Sequence, residues 1–328
     1  MAAIKDIAKL AKVSAATAYE VLHEDTDSEA VSEDTKRRIS QAAESLNFRL
    51  TEKNTAGSPL VSGIHIALAI MDSADGELEN PFFAALRKHV EKSCLENDIY
   101  IKEIIRYENI DSTDKMSKLD GMIVIGSIGE DDFEKLKKVS ENIVFISDAI
   151  ADIPADQVSI DVDQMTELVI WHLKKMGHQK IGYIGSQTWG NTMMEQLDKA
   201  NLLSEGHIYL TEPYGTEGYR ILKEAAVGNQ LADAYMIQSS VMSLAAIMAL
   251  REENVKIPED VSIVSFYDVP EAHYFAPSLT AIHVSALEIA GIAMKLLRER
   301  VIEHRDTPLK VLVPATLKMR ESTAKKYR

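Results

Sequence analysis

Ile4-Lys-Asp-Ile-Ala-Lys-Leu-Ala-Lys-Val-Ser-Ala-Ala-Thr-Ala-Tyr-Glu-Val-Leu22 holds two short apolar stripes separated by one break. Ile4, Ile7, Ala8 and Ala11 recur at the spacing of one helix face. The break falls at Lys12-Val13-Ser14, and Ala18, Val21 and Leu22 form the second stripe. Ser14 suits the N-cap of that second helix, because its hydroxyl can accept one of the backbone N–H groups a helix start leaves unpaired. A third stripe follows at Thr35, Ile39, Ala42, Ala43 and Leu46, with Ser32 as N-cap and Glu33 and Asp34 at the positive helix end. Residues 1–49 contain no glycine or proline. Two helices joined by a turn of about three residues have the layout of a helix-turn-helix.

Outward from this head, residues 50–62 change character: Gly57-Ser58-Pro59 stops any helix, and the small polar residues around it read as a linker. From Gly63 onward β-branched runs alternate with helical periodicity. The runs are Ile64–Ile70, Tyr100–Ile105, Met122–Ile125, Ile143–Ile146, Val158–Val162, Lys180–Ile184, Ala234–Ile237, Ser262–Phe266 and Leu279–Val284, with periodic segments such as Phe82–Leu95 and Ala286–Val301 between them. This alternation predicts parallel sheets covered on both faces, and nine or more strands fit two sheets better than one.

The chain has 328 residues, 46% hydrophobic and 27% charged, the balance of a soluble globular protein with ample core. A net charge of −15 argues against a protein that coats nucleic acid or anionic membrane indiscriminately, while leaving room for a local site. Cys94 is the one cysteine, which excludes an internal disulfide framework and a cysteine-cluster metal site. The first residues lack an apolar signal region, and no apolar run is long enough to span a bilayer, so a cytoplasmic protein is expected.

Ligands of open parallel sheets sit beyond the C-terminal strand ends. There the chain offers Glu79, Phe82 and Phe83, then Ser147 and Asp148, Trp189, Ser239 and Ser240, and Tyr267 and Asp268. These hydroxyls, carboxylates and aromatics make a binding site without an evident nucleophile and base. No G-x-S-x-G elbow, dinucleotide fingerprint or phosphate-binding loop occurs, and the nine histidines fall into no metal-ligand spacing. Neither an enzyme nor a cofactor is expected. Trp189, in a polar stretch after a strand, offers either a flat face for a sugar ring or a loop anchor. Asp148 and Asp268 are either acceptors for ligand hydroxyls or solvated strand-end carboxylates.

Taken together, the head, Val31-Ser-Glu-Asp-Thr-Lys-Arg-Arg-Ile, Asn80-Pro-Phe-Phe, Leu119-Asp-Gly-Met-Ile, Met176-Gly-His-Gln-Lys-Ile-Gly-Tyr-Ile-Gly, Ile257-Pro-Glu-Asp-Val-Ser-Ile-Val-Ser-Phe and Met319-Arg-Glu-Ser resemble the LacI–GalR family of bacterial transcription regulators, in that family's order and over essentially the whole chain. The stretches Asp25–Glu29 and Glu77-Leu-Glu resemble its branch controlling β-galactosidase and galactoside genes. The resemblance implies a small all-α helix-turn-helix head at 1–49, a hinge at 50–62, and a periplasmic-binding-protein-like body of two doubly wound lobes at 63–328. Lobe 1 would take about 63–160 and 286–313, lobe 2 about 161–284 and 314–328. The implied partners are a double-stranded DNA operator, a small sugar-like effector between the lobes, and a second copy in a homodimer, with no membrane partner. On the head it implies that Lys5, Ser14, Thr17, Tyr19, His23 and Thr35 position the DNA backbone, while Ala15, Ala16 and Glu20 face bases.

Several positions depart from the family pattern. Glu20 stands where the family usually has an arginine, and a carboxylate repels phosphates although it can accept from cytosine. Residues 1–50 carry seven basic against nine acidic side chains, whereas phosphate neutralisation supplies most of the affinity of a typical DNA-binding head. The linker lacks the Ala-Arg-x-Leu element of a minor-groove hinge helix. In the cleft no arginine occurs between Arg106 and Arg220, Ser239-Ser240 replaces Asn-Asp, and Tyr267-Asp268 replaces Asp-Asp. Two other readings stand beside the regulator: a dimeric sugar-binding body with a weak or vestigial head, and a plain sugar receptor.

Overall fold

A computed structural model of the chain describes residues 4–14, 17–18, 21, 31–45, 63–71, 80–148 and 152–326. The protein divides into two units, Met1–Ser62 and Gly63–Arg328.

In the first unit, α1 (Ile4–Ala11) and α2 (Glu33–Ser45) bury one shared face. Ile7, Ala11, Ile39, Ala42 and Ala43 form its core, with Val13 and Val21 packed against them. All but Val13, which lies in the break after α1, belong to the three sequence stripes. Three of the five core residues are alanines, small enough to let short helices approach closely.

The second unit contains two six-stranded sheets. The first runs β2 (Ile99–Arg106), β1 (Ile64–Ile70), β3 (Gly121–Ile125), β4 (Ile143–Ser147), β5 (Asp156–Ile160) and β11 (Lys310–Val313), all parallel. The second repeats that order with β7 (Leu203–Leu210), β6 (Ile181–Gly185), β8 (Ala234–Ile237), β9 (Ser262–Phe266), β10 (Thr280–His283) and β12 (Thr316–Lys318), of which β12 alone is antiparallel. Strands β3, β4, β5, β6, β8 and β9 are buried at every residue, as both-face coverage by helices requires. The covering helices are α3 (Pro81–Glu96), α4 (Glu130–Lys137), α5 (Val162–Lys175), α6 (Gln187–Lys199), α7 (Gly215–Val227), α8 (Ser240–Glu252) and α9 (Ala286–Glu303).

The chain passes from the first sheet to the second between Ile160 and Val162, returns between His283 and Ala286, and passes again between Val313 and Thr316. Each passage into a helix is capped: the Gln164 N–H donates to Asp161 Oδ1 (3.0 Å) and the Glu288 N–H to Ser285 Oγ (3.2 Å). Two of the passages are laced together. The Gln164 amide accepts from the Ala315 N–H (3.0 Å) and donates to the Ala315 carbonyl (3.1 Å), and the Asp161 N–H donates to the Val313 carbonyl (3.1 Å).

Three strands exceed the sequence expectation. β7 contains Ser204-Glu-Gly-His207 and shows no clean alternation, while β11 and β12 are four- and three-residue edges whose exposed faces carry no burial signal. Trp189 also differs from its expected loop position. Helix α6 begins two residues after β6, so Trp189 is the third helical residue and only 1% exposed. Among the described residues, no helix is long and apolar enough to cross a membrane.

Candidate functional site

The head's exposed chemistry begins at its turn. Lys12 adopts a left-handed φ of 58°, and the Val13 N–H reaches back to the Ala8 carbonyl (3.0 Å), closing α1. Ser14 then caps the next helix: its Oγ accepts from the Thr17 N–H (3.0 Å) and lies 2.7 Å from the Thr17 hydroxyl. Ala18 is fully buried, which fixes the roll of this segment on the core. Thr35 lies at the start of α2, with its hydroxyl 2.9 Å from Ser32 Oγ and accepting from Arg38 (3.2 Å). Asp34 takes ion pairs from Arg37 (2.9 Å) and Arg38 (3.6 Å). Lys5 has its backbone in α1. Ala15, Ala16, Tyr19, Glu20 and His23 lie outside the described residues, as does the expected hinge at 50–62.

In the body, the predicted ligand residues fall on equivalent positions of the two lobes. Phe82 opens the helix after β1, and Trp189 opens the helix after β6. Asp148 follows the end of β4, and Tyr267 follows the end of β9. Each lobe's aromatic residue meets the other lobe's strand end. The rings of Phe82 and Tyr267 stack with centroids 4.6 Å apart and planes at 22°. Trp189 donates its indole N–H to Asp148 Oδ2 at 3.1 Å. Phe83 approaches Tyr267 at 6.5 Å, and Trp189 meets Tyr267 at 5.7 Å and the edge of Phe266 at 5.5 Å. One continuous apolar cluster thereby joins the two lobes.

Local sequence explains the placement. Pro81 fixes the first helical turn of α3, Asn80 accepts from the Phe82 N–H (3.3 Å), and the aromatic side chain projects from the first turn onto Tyr267. Tyr267 adopts φ +73°, a left-handed conformation costly for a bulky residue, which carries its ring under Phe82. Burial, with the nearby charges of Asp148 and Tyr183, pushes the Tyr267 phenol well above its ordinary range, so it stays a neutral donor.

Ser147, Ser239 and Asp268 have protein partners. Ser147 Oγ lies 3.3 Å from Ser159 Oγ. Ser239 caps α8 by accepting from the Met242 N–H (3.0 Å) and donates to the Pro213 carbonyl (3.3 Å), while Ser240 is buried as the first residue of that helix. Asp268 is held by Arg320 through two contacts, 2.8 and 3.0 Å, with His283 Nδ1 3.7 Å away. Glu79 lies outside the described residues. Sequence reading missed Phe266 and Arg320. Arg320 belongs to the quoted Met319-Arg-Glu-Ser motif, but only the antiparallel pairing of β12 with β10 brings it to a carboxylate 52 residues earlier. Among the described residues, no group of three His, Cys, Asp or Glu side chains is placed to hold a metal ion.

Comparison with known proteins gives the same two parts. Residues 3–49 match the bacterial regulatory proteins of the lacI family, and residues 170–323 match the periplasmic binding protein-like domain. The chain is 32% identical to the HTH-type transcriptional regulator GanR of Bacillus subtilis, over 98% of this chain and 99% of that one. It is 30% identical to the HTH-type transcriptional repressor MelR of the same organism, over 98% and 97%. Among solved structures, the transcriptional regulator CelR in complex with cellobiose superposes with a TM-score of 0.71 at 20% identity, covering 98% of this chain and all of that one. With a helix-turn-helix head, a two-lobed body and full-length relatives of this kind, the chain belongs to the lacI family of bacterial regulatory proteins, DNA-binding transcription regulators rather than enzymes.

Proposed function

We propose that this protein is a homodimeric cytoplasmic repressor of carbohydrate genes, of the galactoside type, released from or held on its operator by a small sugar-like effector between the lobes. The observation that carries this reading is the pair of crossed contacts, Phe82 on Tyr267 and Trp189 on Asp148, where the C-terminal strand ends of both lobes converge. Indole and phenyl faces complement the C–H faces of a sugar ring, and carboxylates and hydroxyls orient its hydroxyls. The names of the relatives and the cellobiose complex support a regulator of this effector class. Glu79, Phe83, Ser147, Ser239, Ser240 and Asp268 complete the proposed cleft. Closure on an effector shifts one lobe against the other, and in a dimer that changes the spacing of the two heads on DNA.

On the head, Lys5, Ser14, Thr17, Tyr19, His23 and Thr35 position the phosphate backbone, and Ala15, Ala16 and Glu20 face the bases. The test is selection of random duplex DNA by the purified full-length protein at low salt, with lactose, methyl β-D-galactoside and cellobiose added in turn. A palindromic site whose occupancy one sugar alters is the expected result. Enrichment of no sequence by folded dimer would overturn the reading. A second reading, a regulator with a vestigial head, is favoured by one arrangement: Arg37 and Arg38 share Asp34 and so present less free positive charge. A flat dependence of the residual binding on salt would select that second reading, because phosphate contacts release counterions in proportion to their number.

A further inference from the structure

The two lobes place different residues at the end of the fourth strand. In lobe 1 Asp148 follows β4, and in lobe 2 Tyr267 follows β9. The carboxylate side of this exchange accepts a hydrogen bond across the lobes from Trp189. The phenol side does something else. Its ring lies over Phe82 and beside Trp189, in the region beyond the strand ends where open parallel sheets bind ligands. Tyr267 is 2% exposed, and its hydroxyl meets no hydrogen-bonding partner among the described residues. A buried donor left unpaired is destabilising, and so is the left-handed backbone that places it.

Resting on the carbohydrate reading above, we propose that Tyr267 is a displaceable latch that decides what the effector cleft admits. In the closed protein its ring bridges the lobes by stacking on Phe82. When a polyhydroxylated ring enters, the tyrosine gives up that stack, and its hydroxyl gains the partner it lacks from a ligand hydroxyl. Phe82 is the latch's seat on lobe 1, and Trp189 reports its state from lobe 2.

The chain has two tryptophans, and Trp171 is exposed, so W171F leaves Trp189 as the single emitter. In that background acrylamide quenching reads the latch without any ligand. Y267A is expected to raise the quenching constant of Trp189 severalfold, and F82L, which opens the same stack from the other lobe, serves if Y267A does not fold. Y267F keeps the ring and is expected to leave quenching unchanged, while binding lactose or methyl β-D-galactoside about tenfold more weakly, the loss of one hydrogen bond of ordinary net strength. Trp189 as protected in Y267A and F82L as in the parent would overturn the latch. Full affinity in Y267F would overturn the hydroxyl's role. Should no carbohydrate perturb Trp189 in the parent or in Y267A, the carbohydrate reading and the hydroxyl's part in it both fail, while quenching still decides the latch.

Discussion

The two lobes share a strand order, a pair of aromatic helix starts and an arginine locked on a carboxylate, but they put that arginine pair at opposite ends of the sheet. In lobe 1, Asp156 is the first residue of β5 and is completely buried. Arg300 reaches it at 2.9 Å, Arg305 at 2.7 and 3.0 Å, and the Leu309 N–H at 2.7 Å. In lobe 2, Asp268 lies beyond the C-terminal end of β9 and meets Arg320 near His283. The ligand end of a parallel sheet is the C-terminal end. One chemical unit is therefore scaffold in lobe 1, where it pins the return of the chain into β11, and in lobe 2 it stands at the strand end that the proposed cleft uses. Residue type alone does not separate the two roles; the strand end does.

The sharpest way to break this comparison is D156A. It leaves Arg300 buried without its counter-charge and Arg305 with Glu299 alone (3.1 Å), and a loss of about 3–5 kcal/mol of stability is expected. Urea unfolding of the full-length protein measures it, with effector binding of the folded fraction unchanged. Burial raises the Asp156 pKa, but hydrogen bonds from Arg305 and the Leu309 N–H, with the charge of Arg300, outweigh it and hold the carboxyl below its usual value. The unfolded carboxyl titrates near 4. The contribution is therefore complete above about pH 4 and fades as pH falls toward the depressed folded value. A D156A protein as stable as the parent would remove the scaffold half of the comparison.

R320A tests the other half. The pair is less deeply buried, so the stability loss is expected to be smaller, about 1–3 kcal/mol. Unlike D156A it should also change effector affinity, because it frees the Asp268 carboxylate at the cleft. Isothermal titration with lactose on both variants separates the cases; equal affinities in R320A and the parent would make both arginine pairs scaffold.

The lobes differ again in how their last segments are fastened. After β12 the chain is held on lobe 2 by two buried histidines: His172 Nε2 lies 3.0 Å from Thr323 Oγ1, and His178 Nε2 donates to the Ala324 carbonyl (3.1 Å). Burial lowers both pKa values; the His178 and Lys175 charges add to this for His172, and Lys326 opposes Asp233 and the Ala324 bond for His178. An unfolded histidine takes up its proton near pH 6.5, and these folded ones do so only lower down. Stability should thus be lost progressively as pH falls below about 6.5, since the unfolded chain then binds more protons. Thermal midpoints from pH 7.5 to 5.5 read this directly. H172Q should flatten the slope, and an unflattened slope would assign the acid sensitivity elsewhere.

These distinctions show how far the sequence reading reached. Alternation of Ile- and Val-rich runs exposed the buried central strands, because most residues covered on both faces are apolar; the buried but polar Asp156 and Gln157 that open β5 accordingly fall outside the expected run Val158–Val162. The stripes of the head were legible for the same reason, since Ile7, Ala18 and Ile39 are completely buried. Edge strands β11 and β12 escaped because their faces are half solvent-exposed and their register comes from neighbours far along the chain. In the cleft, the strand-end rule named Phe82, Asp148, Trp189 and Tyr267 without saying which met which. Their crossing depends on the three passages between the lobes, and so does the engagement of Asp268 by Arg320. Trp189 lies on a helix and not in a loop: Ser186, a residue type suited to an N-cap, marks the start, but its side chain makes no capping bond and the polar Gln187-Thr188 that follow carry no apolar stripe.

The finest test concerns the hydroxyl pair at the same cleft-side edge of lobe 1. Ser147 Oγ and Ser159 Oγ are buried and 3.3 Å apart, at the ends of neighbouring strands β4 and β5. At that distance the bond between them is weak. S159A should cost less than about 1 kcal/mol, because it removes a small hydroxyl whose bond to Ser147 is weak. If Ser147 instead serves an effector, S147A will weaken sugar binding while S159A does not, although both remove the same contact from the ligand-free protein. Equal effects of the two substitutions on affinity would make the pair structural, and would place the boundary between scaffold and cleft on lobe 1 beyond β4, at Asp148 itself.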